Sequence, residues 1–144
     1  MNNFEFFLKR GEVRKQSPDS NLSKATLRES LDRLQLSKNL LQREKPKYVL
    51  ENAYEAMREA ADSILYIEGY KSYSHEASIV FLLKKSFEDA DIRELDRFRK
   101  IRNGIKYYGK DCDDADAESA IMLAGKIIAK IRQLIEKRLT EEGK

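Results

Sequence analysis

Between Ala120 and Ile135 the apolar residues recur at steps of three and four: Ala120, Ile121, Ala124, Ile127, Ile128, Ile131, Leu134 and Ile135. That spacing draws one stripe down an α-helix and does not fit the two-residue period of a half-buried strand. The acids from Asp113 to Glu118 precede it, where negative charge suits the positive end of a helix. A second stripe of the same kind runs from about Lys47 to Glu68 through Val49, Ala53, Ala56, Met57, Ala60, Ile64 and Ile67. Its alanines allow a neighbouring helix to come close. Pro46 suits its first turn and Gly69 its end. With only two prolines and six glycines in 144 residues, little interrupts long helices elsewhere.

The remaining segments extend the pattern. Asn3–Arg10 is expected as a short helix ended by Gly11, with Phe4, Phe7 and Leu8 packed on the body. Glu12–Ser17 is expected as a linker. Pro18 and Asp19 open a helix running to about Glu44, with Leu22, Leu27, Leu31, Leu34 and Leu41 inward and Leu36 and Leu40 widening the stripe. Tyr70–Tyr73 is expected as a loop. Ser74 is an N-cap for a helix to about Glu88, with Ile79, Val80, Leu83 and Phe87 inside. Another helix begins near Asp91. The expectation is an all-α fold, a mostly antiparallel helical bundle of about five to six helices, in a single domain over residues 1–144.

The chemistry concentrates in Asp96–Lys110, DRFRKIRNGIKYYGK. Arg97, Arg99, Lys100, Arg102, Lys106 and Lys110 stand there against the single acid Asp96. Ile92, Leu95, Phe98, Ile101, Ile105 and Tyr108 form the apolar stripe of this helix. At about 100° per residue, Arg102 falls inside it. A guanidinium on an apolar face needs a carboxylate, a phosphate or a partner surface, because burying it unpaired is costly. Asn103 and Tyr107 lie one turn apart on an adjacent face, with Arg99 and Lys110 close by. Together they form a strip of donors able to hold an RNA phosphate. A purely structural reading stands beside this one, since cations late in a helix favour its negative end and Gly109 suits a C-cap.

Other chemistries find little support. The net charge is +3, and the basic stretch is followed by Asp111, Asp113, Asp114, Asp116 and Glu118, so a nucleic-acid footprint would be confined to one face. The one cysteine, Cys112, excludes an internal disulfide and lies among acids that disfavour a thiolate. No Gly-rich phosphate loop, Cys/His metal spacing or nucleophile elbow is present, so neither a metal nor a cofactor is expected. Glu51, Glu55, Glu59 and Asp62 share helical spacing, which suggests a solvated acidic face pairing with the basic stretch. His75 is the single histidine and the one side chain with an ordinary pKa suited to acid–base work near neutrality. No run spans a bilayer and the N-terminus lacks a signal-peptide layout, so a cytoplasmic protein away from membranes is expected.

Three segments resemble the HEPN domains, small prokaryotic helical bundles. They are ENAYEAMREAADSILYIEGY, like the family's alanine-rich core helix; KSYSHEASIVFLLK, like the segment after it; and FRKIRNGIKYYGKD, like the late-helix motif of an Arg, a polar residue and, a few positions on, a His. The likeness covers roughly Leu22–Leu139. It implies a homodimer with the two motif helices face to face. It also implies, in active members, a metal-independent ribonuclease site in which the Arg stabilises phosphate charge and the His moves protons. A small nucleotidyltransferase acting as antitoxin is the partner it implies. Arg102 matches the motif Arg and Asn103 its polar neighbour. The family His falls where Tyr107, Tyr108 or Gly109 stands, and no His follows His75.

The residues leave three readings open. The first is a HEPN-like protein binding a nucleotide or RNA through Arg99, Arg102, Asn103, Lys106, Tyr107 and Lys110, as the toxin-like half of a pair with a nucleotidyltransferase. The second is an active endoribonuclease using Arg102 with His75 or Tyr107. The third is a non-catalytic module whose basic strip docks an acidic partner.

Overall fold

A computed structural model of the chain describes residues 1–142. Among these residues six α-helices carry the fold: α1 (Phe4–Lys9), α2 (Ser20–Leu40), α3 (Pro46–Glu68), α4 (His75–Phe81), α5 (Asp89–Tyr108) and α6 (Asp114–Glu142). The all-α bundle expected from the stripes is the fold observed. Helix α3 is its axis. It buries Val49, Leu50, Ala53, Tyr54, Ala56, Met57, Ala60, Ala61, Ile64, Leu65 and Ile67, and it packs on α2, α4, α5 and α6. From α6 come Ala117, Ala120, Leu123, Ala124, Ile127, Ile128, Ile131 and Ile135, so the strongest stripe in the sequence lies on the core.

Helix α2 meets α3 differently from the expectation. Its Leu27 and Leu34 are buried, but Leu22 and Leu36 are exposed, and the seam is made by serines. Ser23, Ser30 and Ser37 lie seven residues apart, all without solvent contact. Their hydroxyls donate to the α3 backbone carbonyls of Ser63 (2.7 Å), Ala56 (2.6 Å) and Val49 (2.7 Å). Small hydroxyls satisfied by the facing backbone let the helices pack closely without a buried polar group left over. The helix also ends at Leu40 rather than near Glu44, with Gln42 turned to positive φ.

Two further segments depart from the helical expectation. The linker over residues 12–17 contains a strand, β1 (Val13–Lys15), and the loop at residues 70–73 contains β2 (Tyr70–Ser72). They pair antiparallel with Val13 opposite Ser72 and Lys15 opposite Tyr70. Gly69, which closes α3 at φ 90°, sits beside this ribbon. A Cβ there would stand 2.7 Å from the Gln16 carbonyl oxygen, so a glycine is required for both reasons. Phe4 of α1 packs on Tyr70 and Phe81, with ring centres 5.3 and 4.7 Å away.

Ser74 caps α4 as expected, its hydroxyl accepting from the Ala77 N–H at 3.2 Å. The helix is shorter than expected, because residues 82–85 tighten into a 3₁₀ turn closed by Ser86 at positive φ. The tighter turn rotates Leu83 outward and puts Leu82 in the core. Helix α5 buries Ile92, Leu95, Phe98 and Ile105, and Gly109 closes it in the left-handed conformation. Tyr108, expected in that stripe, is instead 75% exposed at the last turn. Helix α6 opens with the Asp113 carboxylate accepting from the Asp116 N–H at 2.8 Å. Among the described residues, no helix is long and apolar enough to cross a membrane.

Candidate functional site

Arg102 is buried, as its place in the α5 stripe requires. Its Nη2 stands 3.1 Å from Glu55 Oε1 on α3, and its Nη1 donates to Asn103 Oδ1 at 3.3 Å. The Glu55 contact has ion-pair distance but not hydrogen-bond alignment, and Glu55 Oε1 is shielded from water with no aligned donor. The guanidinium carbon also lies 5.9 Å from the ring centres of Tyr54 and Tyr107. Arg102 is thus held at three sides by a carboxylate and two aromatic faces.

Arg102 and Glu55 open onto a cleft of about 490 Å³ lined by residues of α2, α3, α4 and α5. Its cations are Arg33, Arg58, Arg102 and Lys106, and its anions Glu51, Glu55 and Glu59. His75 lies in the same wall. The structure therefore brings His75 and Arg102 into one cleft from positions 27 residues apart. Helix α3 passes under both, and its buried Tyr54 hydroxyl lies 3.1 Å from His75 Nδ1.

Arg58 fills the middle of the acidic row. It bonds Glu55 at 2.8 and 3.0 Å and Asp62 at 2.8 Å. Asp62 also accepts from the Ser78 hydroxyl at 2.7 Å. Glu59 is bound by Arg33, whose Nη1 lies 3.5 Å from Asn52 Oδ1. The expected solvated acidic face is thus partly buried, Glu59 fully so, and of its four acids Glu55 is the one that pairs with the basic stretch. Glu59 is taken by Arg33, and Asp62 by Arg58, which stands three and four residues from Glu55 and Asp62 on the same helix.

The protonation equilibria follow from this packing. Burial would raise the Glu55 carboxyl, but Arg58 and then Arg102 outweigh it and hold the group below the ordinary carboxylate range. Burial raises Asp62 and Glu59 above theirs, against the pull of Ser78 and Arg58 on the first and Arg33 on the second. His75 is pulled down to about 4, first by burial and then by Arg58, with Arg102 and Arg99 adding to it against Glu55. Burial keeps the Tyr54 hydroxyl well above its ordinary value. At neutral pH the cleft therefore holds a neutral imidazole beside arginines, backed from the core by the neutral Tyr54 phenol.

The other residues of the basic strip are dispersed. Lys106 lines the cleft and stacks over the Tyr107 ring at 5.7 Å. Tyr107 is 63% exposed. Arg99 turns away toward α4, bonding Asp96 at 2.7 Å and Glu76 at 3.3 Å. Lys110 lies exposed beyond the helix end, its stem over Gly104 and its N–H on the Gly104 carbonyl at 3.1 Å. Arg102, Asn103, Lys106 and Tyr107 form one group, whereas Arg99 and Lys110 stand apart from it. Arg33, Tyr54 and Arg58 escaped sequence reasoning. Arg58 carried a signal in its spacing from Glu55 and Asp62; Arg33 and Tyr54 carried none.

Cys112 has its thiol raised to about 11 by burial and by Asp116, Asp113, Asp111 and Asp114. Among the described residues, no group of three or more His, Cys, Asp or Glu side chains is placed to hold a metal ion.

The class so defined is an all-α bundle with a charged cleft where its central helix meets α2, α4 and α5. The family model of the HEPN domain matches residues 23–134, well over half of the chain, and the protein belongs to the HEPN domain family. Membership marks it as generally nucleotide- or RNA-related. A search of curated proteins finds no match.

Proposed function

We propose that the cleft around Arg102 binds the phosphate of a nucleotide or an RNA strand, and that the protein does so as the toxin-like half of a homodimeric HEPN–nucleotidyltransferase pair. The observation that carries the binding role is Arg102 itself. A buried guanidinium whose carboxylate partner is misaligned retains donors for a phosphate oxygen, to which it binds in charge-assisted fashion. Lys106 and Tyr107 beside it supply a second cation and an exposed ring on which a base can stack. The pairing with an antitoxin rests on family membership alone.

The test is binding of a labelled single-stranded RNA across a salt series. Affinity should fall as salt rises, as phosphate contacts require. Arg102→Ala should bind about tenfold or more weakly, since hydrogen bonds to charged groups are worth about 1.5–3 kcal/mol. Tyr107→Phe should bind nearly as well as wild type if the ring stacks. Unchanged binding by Arg102→Ala would overturn the site assignment.

A second reading, a metal-independent endoribonuclease, draws on the placement of His75 and Arg102 in the same cleft. RNA cleavage by wild type that is lost in Arg102→Ala would select this reading.

A further inference from the structure

His75 is the only histidine, and which of its ring nitrogens carries the proton decides what it can do in the cleft. A neutral imidazole has one donor and one acceptor. Nδ1 faces the Tyr54 hydroxyl at 3.1 Å. Tyr54 has no solvent contact, and among the described residues its hydroxyl has no other hydrogen-bond partner. If Nδ1 were the donor, the phenol's own hydrogen would be left in the core without an acceptor, the costly case of a buried donor left unsatisfied. If the phenol donates to Nδ1, every buried hydrogen at this contact is satisfied. The proton then sits on Nε2, the ring nitrogen left for the cleft.

We infer that Tyr54 is a positioning residue that locks His75 in the Nε2–H tautomer, so that His75 meets a ligand beside Arg102 as a neutral hydrogen-bond donor to an anion and not as a base. The anion as ligand rests on the phosphate-binding reading above; the tautomer does not. Three further observations agree. Burial and the nearby Arg58 keep the ring uncharged at neutral pH, so it donates without adding charge. The phenol stays protonated, which preserves its ability to donate. The Tyr54 ring also lies under Arg102, so one buried residue sets both groups that flank the cleft. For Nε2 to accept a proton from a ribose hydroxyl, its own proton would first have to move to Nδ1, stripping Tyr54 of its acceptor, and the ring would then become a cation among Arg58, Arg102 and Arg99. Both steps oppose its service as a general base.

The single imidazole makes the test direct. The full chain is labelled with ¹⁵N-histidine, and its two-bond ¹H–¹⁵N correlations are recorded at pH 7 for wild type and Tyr54→Phe. Wild type should show Nε2 protonated and Nδ1 bare, and Tyr54→Phe a mixture of both tautomers. Nδ1 protonated in wild type would overturn the inference whatever the RNA-binding result. So would an unchanged pattern in Tyr54→Phe. Inorganic phosphate is then titrated in. It should move the Nε2–H resonances of wild type, His75→Gln should bind within about threefold because its amide still donates, and His75→Ala should lose about fivefold, the worth of about 1 kcal/mol. Loss in His75→Gln equal to that in His75→Ala would overturn the donor role. Failure of phosphate to bind at all, with the tautomer as expected, would instead overturn the phosphate-binding reading.

Discussion

Helix α3 has two working faces, and they are built on opposite rules. Along the seam with α2 it offers backbone carbonyls to three serines, with no charge and no solvent. On the side toward α4 and α5 it offers carboxylates and a tyrosine to Arg102, His75 and, from the edge of α2, Arg33, and there a cleft remains open. Small side chains let two helices close completely, whereas long charged ones hold the helices apart and leave room for a ligand. The rigid face thus serves as the scaffold on which the adaptable face is mounted.

The comparison can be broken first at the closed face. Ser30→Leu places a bulky side chain where a hydroxyl meets the Ala56 carbonyl, and should cost about 3 kcal/mol by overpacking, read as a lower urea midpoint. Ser30→Ala removes only the hydroxyl from a carbonyl that the helix ladder already uses, so its cost should be about 1 kcal/mol or less. Equal effects of the two would show that the seam is not close-packed.

The open face should be distinguished by its pH dependence. The folded pKa of His75 lies near 4, below its ordinary value of 6.5. Its stabilising contribution is therefore complete above pH 6.5 and is lost as pH falls toward 4, because the unfolded chain binds the proton more readily. Asp62 and Glu59, whose folded values are raised, act in the opposite direction at lower pH. Between pH 7 and 5, wild type should therefore lose about 1 kcal/mol more than His75→Gln, after discounting for the ring's exposure to solvent. Identical losses would mean that His75 titrates normally. The smallest effect belongs to a pair on neither face. Arg132 and Glu136 on α6 are each more than half exposed, and Arg132→Ala should change stability by no more than about 0.5 kcal/mol.

The two faces also differ in how far the sequence reveals them. The core side of α3 and α6 was legible because burial there follows one helical period over many residues. The burial of Arg102 was legible for the same reason. Its partner Glu55 was not, since the pairing crosses 47 residues and depends on how two helices lie together. The serine seam left a visible trace, Ser23, Ser30 and Ser37 at sevens, but the neighbouring leucines drew the eye instead. The β1–β2 ribbon left none: three-residue strands are too short to show alternation, and their pairing links segments more than fifty residues apart. The meeting of His75 and Tyr54 was likewise invisible, being set by the turn at Gly69 and the return of the chain through β2.

The sevenfold spacing of those serines also works as an axial ruler. The three carbonyls they meet, on Ser63, Ala56 and Val49, are spaced by sevens too, so a slide of α2 by one turn, about 5.4 Å, would take all three hydroxyls off those carbonyls at once. Arg33 rides on the same helix, between Ser30 and Ser37, and reaches Glu59 in this register. Three uncharged hydroxyls outside the cleft thereby determine which cation α2 delivers into it.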